Sequence, residues 1–116
     1  EGVRRSVADA KATIKAGSVK NVETVASPMR RALGRLRSEK PDAVILNPSA
    51  AGADRPALEA IAASTARSVA YLSCEPATLA RDMAVLRKGG FKLATVQAID
   101  MMPQTRQVEA LALLRR

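Results

Sequence analysis

Two hydrophobic periods exchange along this 116-residue chain, and that exchange limits its fold more than any other feature. Short apolar runs of strand length, Ala43-Val44-Ile45-Leu46 and Ser68-Val69-Ala70-Tyr71-Leu72-Ser73, stand between segments whose apolar residues recur at helical spacing. Val3, Val7, Ala10 and Ile14 form one such stripe, stopped by Gly17. Met29, Ala32, Leu33 and Leu36 form a second, with Ser27 as the expected N-cap and Pro28 in the first turn. Leu58, Ile61 and Ala62 mark a third helix from near Pro56, and Leu79, Met83 and Leu86 a fourth between Pro76 and the Gly89-Gly90 pair. Asn21 to Ala26 reads as a further short strand.

Alternating strands and helices with short connections predict an α/β domain, a parallel sheet flanked by helices. The end of the chain departs from this. Phe91 to Met101 and Gln107 to Leu114 are both extended, with a turn at Pro103 between them. They are expected to pair antiparallel, as a hairpin at one edge of the sheet. In open sheets of this kind ligands sit beyond the carboxyl ends of the strands. The loop from Asn47, the turn at Cys74 and the turn at Pro103 converge there.

Length and composition suit one globular domain, with 47% apolar and 26% charged residues. No apolar run reaches the ~18 residues that would suggest a membrane span. The lone cysteine excludes an internal disulfide and fits a reducing, cytoplasmic setting. A net charge of +8 favours a polyanionic partner, and ten Lys and Arg against four acids lie in the first forty residues. With Tyr71 and Phe91 as the only aromatics, a dedicated single-strand binder that stacks bases is disfavoured.

The convergent segments carry a resemblance. Tyr71-Leu72-Ser73-Cys74-Glu75-Pro76-Ala77-Thr78-Leu79-Ala80-Arg81-Asp82 resembles the "SCNPATLARDL" signature of RNA uracil-5-methyltransferases. Asp100-Met101-Met102-Pro103-Gln104-Thr105-Arg106-Gln107-Val108-Glu109 is similar to their closing "DxFPxTxHVE" motif. The loop Asn47 to Gly52 occupies the place of their "DPPRxG" motif. The resemblance implies a Rossmann-like methyltransferase fold, S-adenosyl-L-methionine as cofactor, ribosomal or transfer RNA as partner, and no metal. It also implies that the chain is the later part of a catalytic domain, truncated at its front. The strand and glycine-rich turn that hold the cofactor's methionine end are missing, so the chain alone is expected to be inactive. Glu1 is then the acid that ends the second strand and grips the cofactor ribose, and Asn47 a second cofactor contact.

The chemistry so implied has definite needs. Carbon 5 of uracil is a weak nucleophile, and a thiolate adding to carbon 6 activates it as an enolate. A base must afterwards take the carbon 5 proton. The resemblance assigns the thiolate to Cys74 and the base to Glu109. Cys74 lies between a strand end and a helix opened by Pro76, where unpaired amides and the helix dipole favour a thiolate. By position alone, Cys74 reads equally as a small core residue, and Glu109 reads rather as a charge on a solvated edge strand than as a base.

Four positions depart from the family. Asn47 replaces an aspartate and cannot supply its charge; Ala50 replaces an arginine and offers no donor fork. Gln107 replaces a histidine, and Glu75 replaces an asparagine or aspartate, adding a charge that opposes ionisation of Cys74. Two other functions follow from these departures: a catalytically silent RNA-binding relative, and an amino-group methyltransferase of the Asn-Pro-Pro-aromatic type. Against the latter, no aromatic follows Asn47-Pro48 to stack a target base.

Overall fold

The computed structural model describes residues 3–105 and 107–116. Among these residues four helices and four strands follow one another: α1 (Arg4–Ala16), α2 (Met29–Glu39), β1 (Ala43–Leu46), α3 (Arg55–Ala62), β2 (Ser68–Ser73), α4 (Pro76–Lys88), β3 (Lys92–Ile99) and β4 (Glu109–Arg115). The strands form one sheet in the order β1-β2-β4-β3. β1 and β2 run parallel, with Ala43 beside Ser68 and Leu46 beside Tyr71. β4 runs antiparallel to both β2 and β3, so the hairpin closes one edge as expected and its second strand sits inside the sheet.

Local chemistry sets the helix boundaries. The Asp54 carboxylate accepts the Ala57 N–H at 3.1 Å to open α3, and the Glu75 carboxylate accepts the Ala77 N–H at 3.2 Å to open α4. Each of these helices carries proline in its first turn, where no amide partner is lost. Gly89 ends α4, and Gly90 follows at φ +94°, a conformation that favours glycine.

The core lies on one face of the sheet. Leu46, Val69, Tyr71, Ala110, Ala112 and Leu114 point from the strands into the same layer as Leu58 and Ile61 of α3 and Leu79 and Leu86 of α4. β2 alternates strictly, with Val69, Tyr71 and Ser73 buried and the residues between them half-buried. On the other face Ile45 is 82% exposed. Beyond the sheet, Arg116 fastens both helix ends. Its guanidinium donates to the carbonyls of Ala66 at 2.8 Å, Ala62 at 2.7 Å and Gly89 at 3.2 Å, and also to that of Ser64. It lies 4.3 Å from the centre of the Phe91 ring.

Two expectations for the front of the chain need correction. Asn21 to Ala26 is irregular rather than a strand. No described strand lies beside it to form a ladder, and Glu23 instead accepts a hydrogen bond from Arg35 of α2 at 2.8 Å. Ser27 does not cap α2, because its hydroxyl donates to the Pro28 carbonyl at 3.1 Å and Pro28 itself is the boundary residue. That carbonyl accepts from the Arg31 amide at 2.9 Å, which starts the helix.

Candidate active site

β2 and β4 bring the two expected chemical groups to the same end of the sheet. Their ladder pairs Tyr71 with Ala112, Leu72 with Leu111 and Ser73 with Ala110. The ladder ends there: Cys74 is the residue that follows β2 and Glu109 the first residue of β4, both next to its last pair. Strand alternation turns Ser73 and Ala110 into the buried layer and Glu109 to the sheet's other face, and Cys74 lies just beyond the end of β2. Cys74 and Glu109 are both half-buried, and the Cys74 thiol is free.

The parallel pair brings in the third segment. Leu46 lies beside Tyr71, so Asn47 falls next to Leu72, two residues before Cys74. The Asn47 side chain is exposed and makes no hydrogen bond among the described residues. Glu1 lies outside the described residues.

The turn at Cys74 is built by its neighbours. The Ser73 hydroxyl oxygen accepts the Glu75 N–H and donates to the Glu75 carbonyl, both at 3.1 Å. The Glu75 carboxylate then holds the Ala77 amide. This corrects the expectation of unpaired amides beside Cys74: at least the Ala77 N–H is satisfied within the helix cap. Glu75 serves there as a cap, a role that asparagine or aspartate would also fill.

The loop after β1 is held from α4. Thr78 donates its hydroxyl to the Ala50 carbonyl at 3.1 Å, and Arg81 donates to the Ala51 carbonyl at 3.0 Å. The Ala53 amide donates to Asp82 Oδ2 at 2.8 Å and to the Tyr71 hydroxyl at 3.1 Å. Asp82 is fully buried, and Arg81 meets its Oδ1 through Nε at 2.8 Å and Nη2 at 2.7 Å. Gly52, at φ +80°, lies so close that a Cβ there would stand 2.5 Å from both Arg81 Nη2 and Asp82 Oδ2. The loop that reaches Asn47 is thus fixed to the helix that follows Cys74.

Sequence reasoning gave no role to Tyr71, Thr78, Arg81 or Asp82. One signal was present: Asp82 falls on the apolar stripe of α4 between Leu79 and Leu86, and a carboxylate there needs partners. A cleft of about 510 Å³ between this loop and the helices is lined by Gly52, Asp54, Arg55, Leu58, Arg81 and Val85, and Cys74 is not part of its lining. Among the described residues no group of three or more His, Cys, Asp or Glu is placed to hold a metal ion. No described helix is long and apolar enough to cross a membrane.

No family model matches the chain. A protein of Caldanaerobacter subterraneus subsp. tengcongensis, named an uncharacterized RNA methyltransferase, is 36% identical over 118 residues, covering 100% of this chain and 26% of the relative. A protein of the same description from Bifidobacterium longum is 37% identical over 118 residues, covering 100% of this chain and 27% of its own length. One from Streptococcus mutans is 36% identical over 116 residues, covering 98% and 26%. The chain spans about a quarter of the length of the curated relatives it matches. The solved structure of Pyrococcus abyssi tRNA (uracil-54, C5)-methyltransferase in complex with S-adenosyl-L-homocysteine superposes with a TM-score of 0.85 at 24% identity. That match covers 98% of this chain and 27% of the other, and it establishes a methyltransferase fold.

Proposed function

We propose that this chain is part of the catalytic domain of an RNA methyltransferase that converts uridine to 5-methyluridine, with Cys74 as nucleophile and Glu109 as base. The observation that supports the reading is the β2–β4 register, which ends at Ser73 beside Ala110, so that Cys74 and Glu109 are the next residues at that same end of the sheet. The names of the relatives support RNA as substrate, and the fold supports methyl transfer.

Each residue then has one task. The Cys74 thiolate adds to carbon 6 of the uracil, and the electron pair of the 5,6 double bond moves to form an enolate. S-adenosyl-L-methionine, when bound, would supply its sulfonium methyl group to carbon 5, the broken sulfur–carbon pair leaving with S-adenosyl-L-homocysteine. The Glu109 carboxylate removes the proton from carbon 5, the double bond re-forms, and the thiolate leaves. Half-burial suits both residues, which must reach a base yet be shielded from bulk water. The described residues fit the cofactor only in part. Asn47 is a free carboxamide at the end of β1, able to donate and accept but not to supply charge. The 116 residues alone are therefore expected to hold the cofactor weakly, and the activity belongs to the longer protein.

Incubating the intact protein with S-adenosylmethionine and an unmodified RNA transcript, then analysing nucleosides by mass spectrometry, tests the reading. 5-Methyluridine is expected. Methyl groups on adenine or guanine amines would point to the amino-group class. RNA binding without any methylation would identify a silent relative, the outcome that Asn47 and Ala50 make the principal rival.

A further inference from the structure

The outer face of α1 is charged against the helix's own interest. Arg4 and Arg5 stand in its first turn, which contains no acid, so two cations face the positive end of the helix dipole. Lys11 and Lys15 are four residues apart, a like-charge pair that repels along a helix. At ~100° per residue, Arg4, Ala8, Lys11 and Lys15 share one stripe, and Arg5 and Ala12 lie beside it. All six are exposed. The ion pairs among the described residues involve Arg35, Arg55, Arg67 and Arg81 and none of these four cations. Asp9, the helix's one acid, falls outside the stripe.

We propose that this face of α1 is a contact surface for the RNA sugar–phosphate backbone. The proposal rests on RNA being the substrate and adds where the chain grips it. Local violations of this kind persist where an outside partner compensates them, and a polyanion supplies the missing countercharge. Arg4 to Lys15 spans ~16 Å of helix, long enough to meet several successive phosphates. Ala8 and Ala12 leave the floor of the stripe low, so a backbone can approach the cations closely. An anionic membrane fits less well. A helix that inserts in a bilayer needs a free apolar face, whereas Val7 on this helix is buried.

The test compares the intact protein with its Arg4→Gln/Lys11→Gln/Lys15→Gln variant. Glutamine keeps helix propensity while removing charge. Binding of an unmodified transfer RNA transcript is measured across a salt series, and melting temperature is recorded beside it. The variant is expected to bind more weakly, with the slope of log K against log[salt] shallower by about 2. Its melting temperature should hold or rise, because repulsion has been relieved; a merely structural stripe would lower it. The control Arg87→Gln/Lys88→Gln/Lys92→Gln should leave the slope in place. An unchanged slope in the stripe variant overturns the proposal, as does an equal change in the control. Loss of binding to phosphatidylserine-containing vesicles, with RNA binding intact, overturns it in favour of a membrane. If the stripe variant keeps its slope while the protein still makes 5-methyluridine, the surface is wrong and the enzymatic reading stands. If the parent protein binds no RNA, both fall.

Discussion

The Tyr71 hydroxyl donates to the buried carboxylate of Asp82 at 2.5 Å, and both groups meet the amide of Ala53. This contact ties the middle strand to α4 and to the loop after β1. Burial first, and then the hydrogen bond to Asp82, hold the Tyr71 phenol above its ordinary pKa. Tyr71 is the sole tyrosine, so its phenolate absorbance can be read without ambiguity.

The sign of the resulting pH dependence follows directly. Below about pH 10 the phenol is protonated in both folded and unfolded chains, and its contribution is fully present. Above that, the unfolded chain releases the proton and the folded chain does not. Stability should fall as pH rises, by up to ~1.4 kcal/mol per pH unit from this one group. Phenolate absorbance is expected to appear only with unfolding, and Tyr71→Phe should show a smaller alkaline loss than the parent. Titration of the phenol in the folded protein near pH 10 would contradict the buried contact.

Asp82 should matter more to stability than any exposed acid. Asp82→Ala leaves the Tyr71 hydroxyl without its acceptor, the Ala53 amide with the Tyr71 oxygen alone and Arg81 without its carboxylate, at a cost on the order of 2–5 kcal/mol. Gly52→Ala is expected to cost more than ~1 kcal/mol, since an L-residue at that positive φ is strained and its Cβ would collide with the Arg81–Asp82 pair. Urea denaturation measures both. Amide exchange at Ala53 should accelerate in each variant, and a cost for Asp82→Ala no larger than that of Asp9→Ala would refute the network.

Arg116 supplies a separate prediction. Its guanidinium gathers the last carbonyls around α3 and α4, where a cation also opposes the negative helix ends. Arg116→Ala is expected to destabilise by about 1–2 kcal/mol, and Arg116→Lys by part of that, because lysine keeps charge but not the planar fork. Equal losses in the two variants would show that geometry, rather than charge, carries the effect.

Much of this arrangement was legible in the sequence. The four helices and the strands after residue 42 follow from apolar period, proline and glycine. The error at Asn21 to Ala26 shows where that signal fails. Val22, Thr24 and Val25 favour extended backbone, but a strand also needs a neighbour, and local sequence carries no record of one. The place of β4 between β2 and β3 is a long-range pairing of the same kind. Cys74 and Glu109 could be named as a pair from motif resemblance, whereas the ladder that brings the end of β2 beside the start of β4 is long-range and leaves no mark in the local sequence. Asp82 went unread because a charge on a helix is ordinarily solvated, and its partners from outside the helix, Tyr71 and Ala53, lie 11 and 29 residues away.

The covalent step tests the central claim most directly. In the intact protein, an RNA containing 5-fluorouridine should form an adduct with Cys74 that survives denaturation, because fluorine cannot leave as the carbon 5 proton does. With ordinary RNA, Glu109→Gln should let the methylated adduct accumulate, since an amide cannot take that proton, and Cys74→Ala should form no adduct and make no 5-methyluridine. The same series with Asn47→Asp and Ala50→Arg added separates an enzyme from a silent relative. Adducts confined to those altered proteins would mean that the natural one binds RNA without turnover. The account predicts a denaturation-resistant protein–RNA adduct that depends on Cys74 and builds up in Glu109→Gln; normal methylation by Cys74→Ala would contradict it outright.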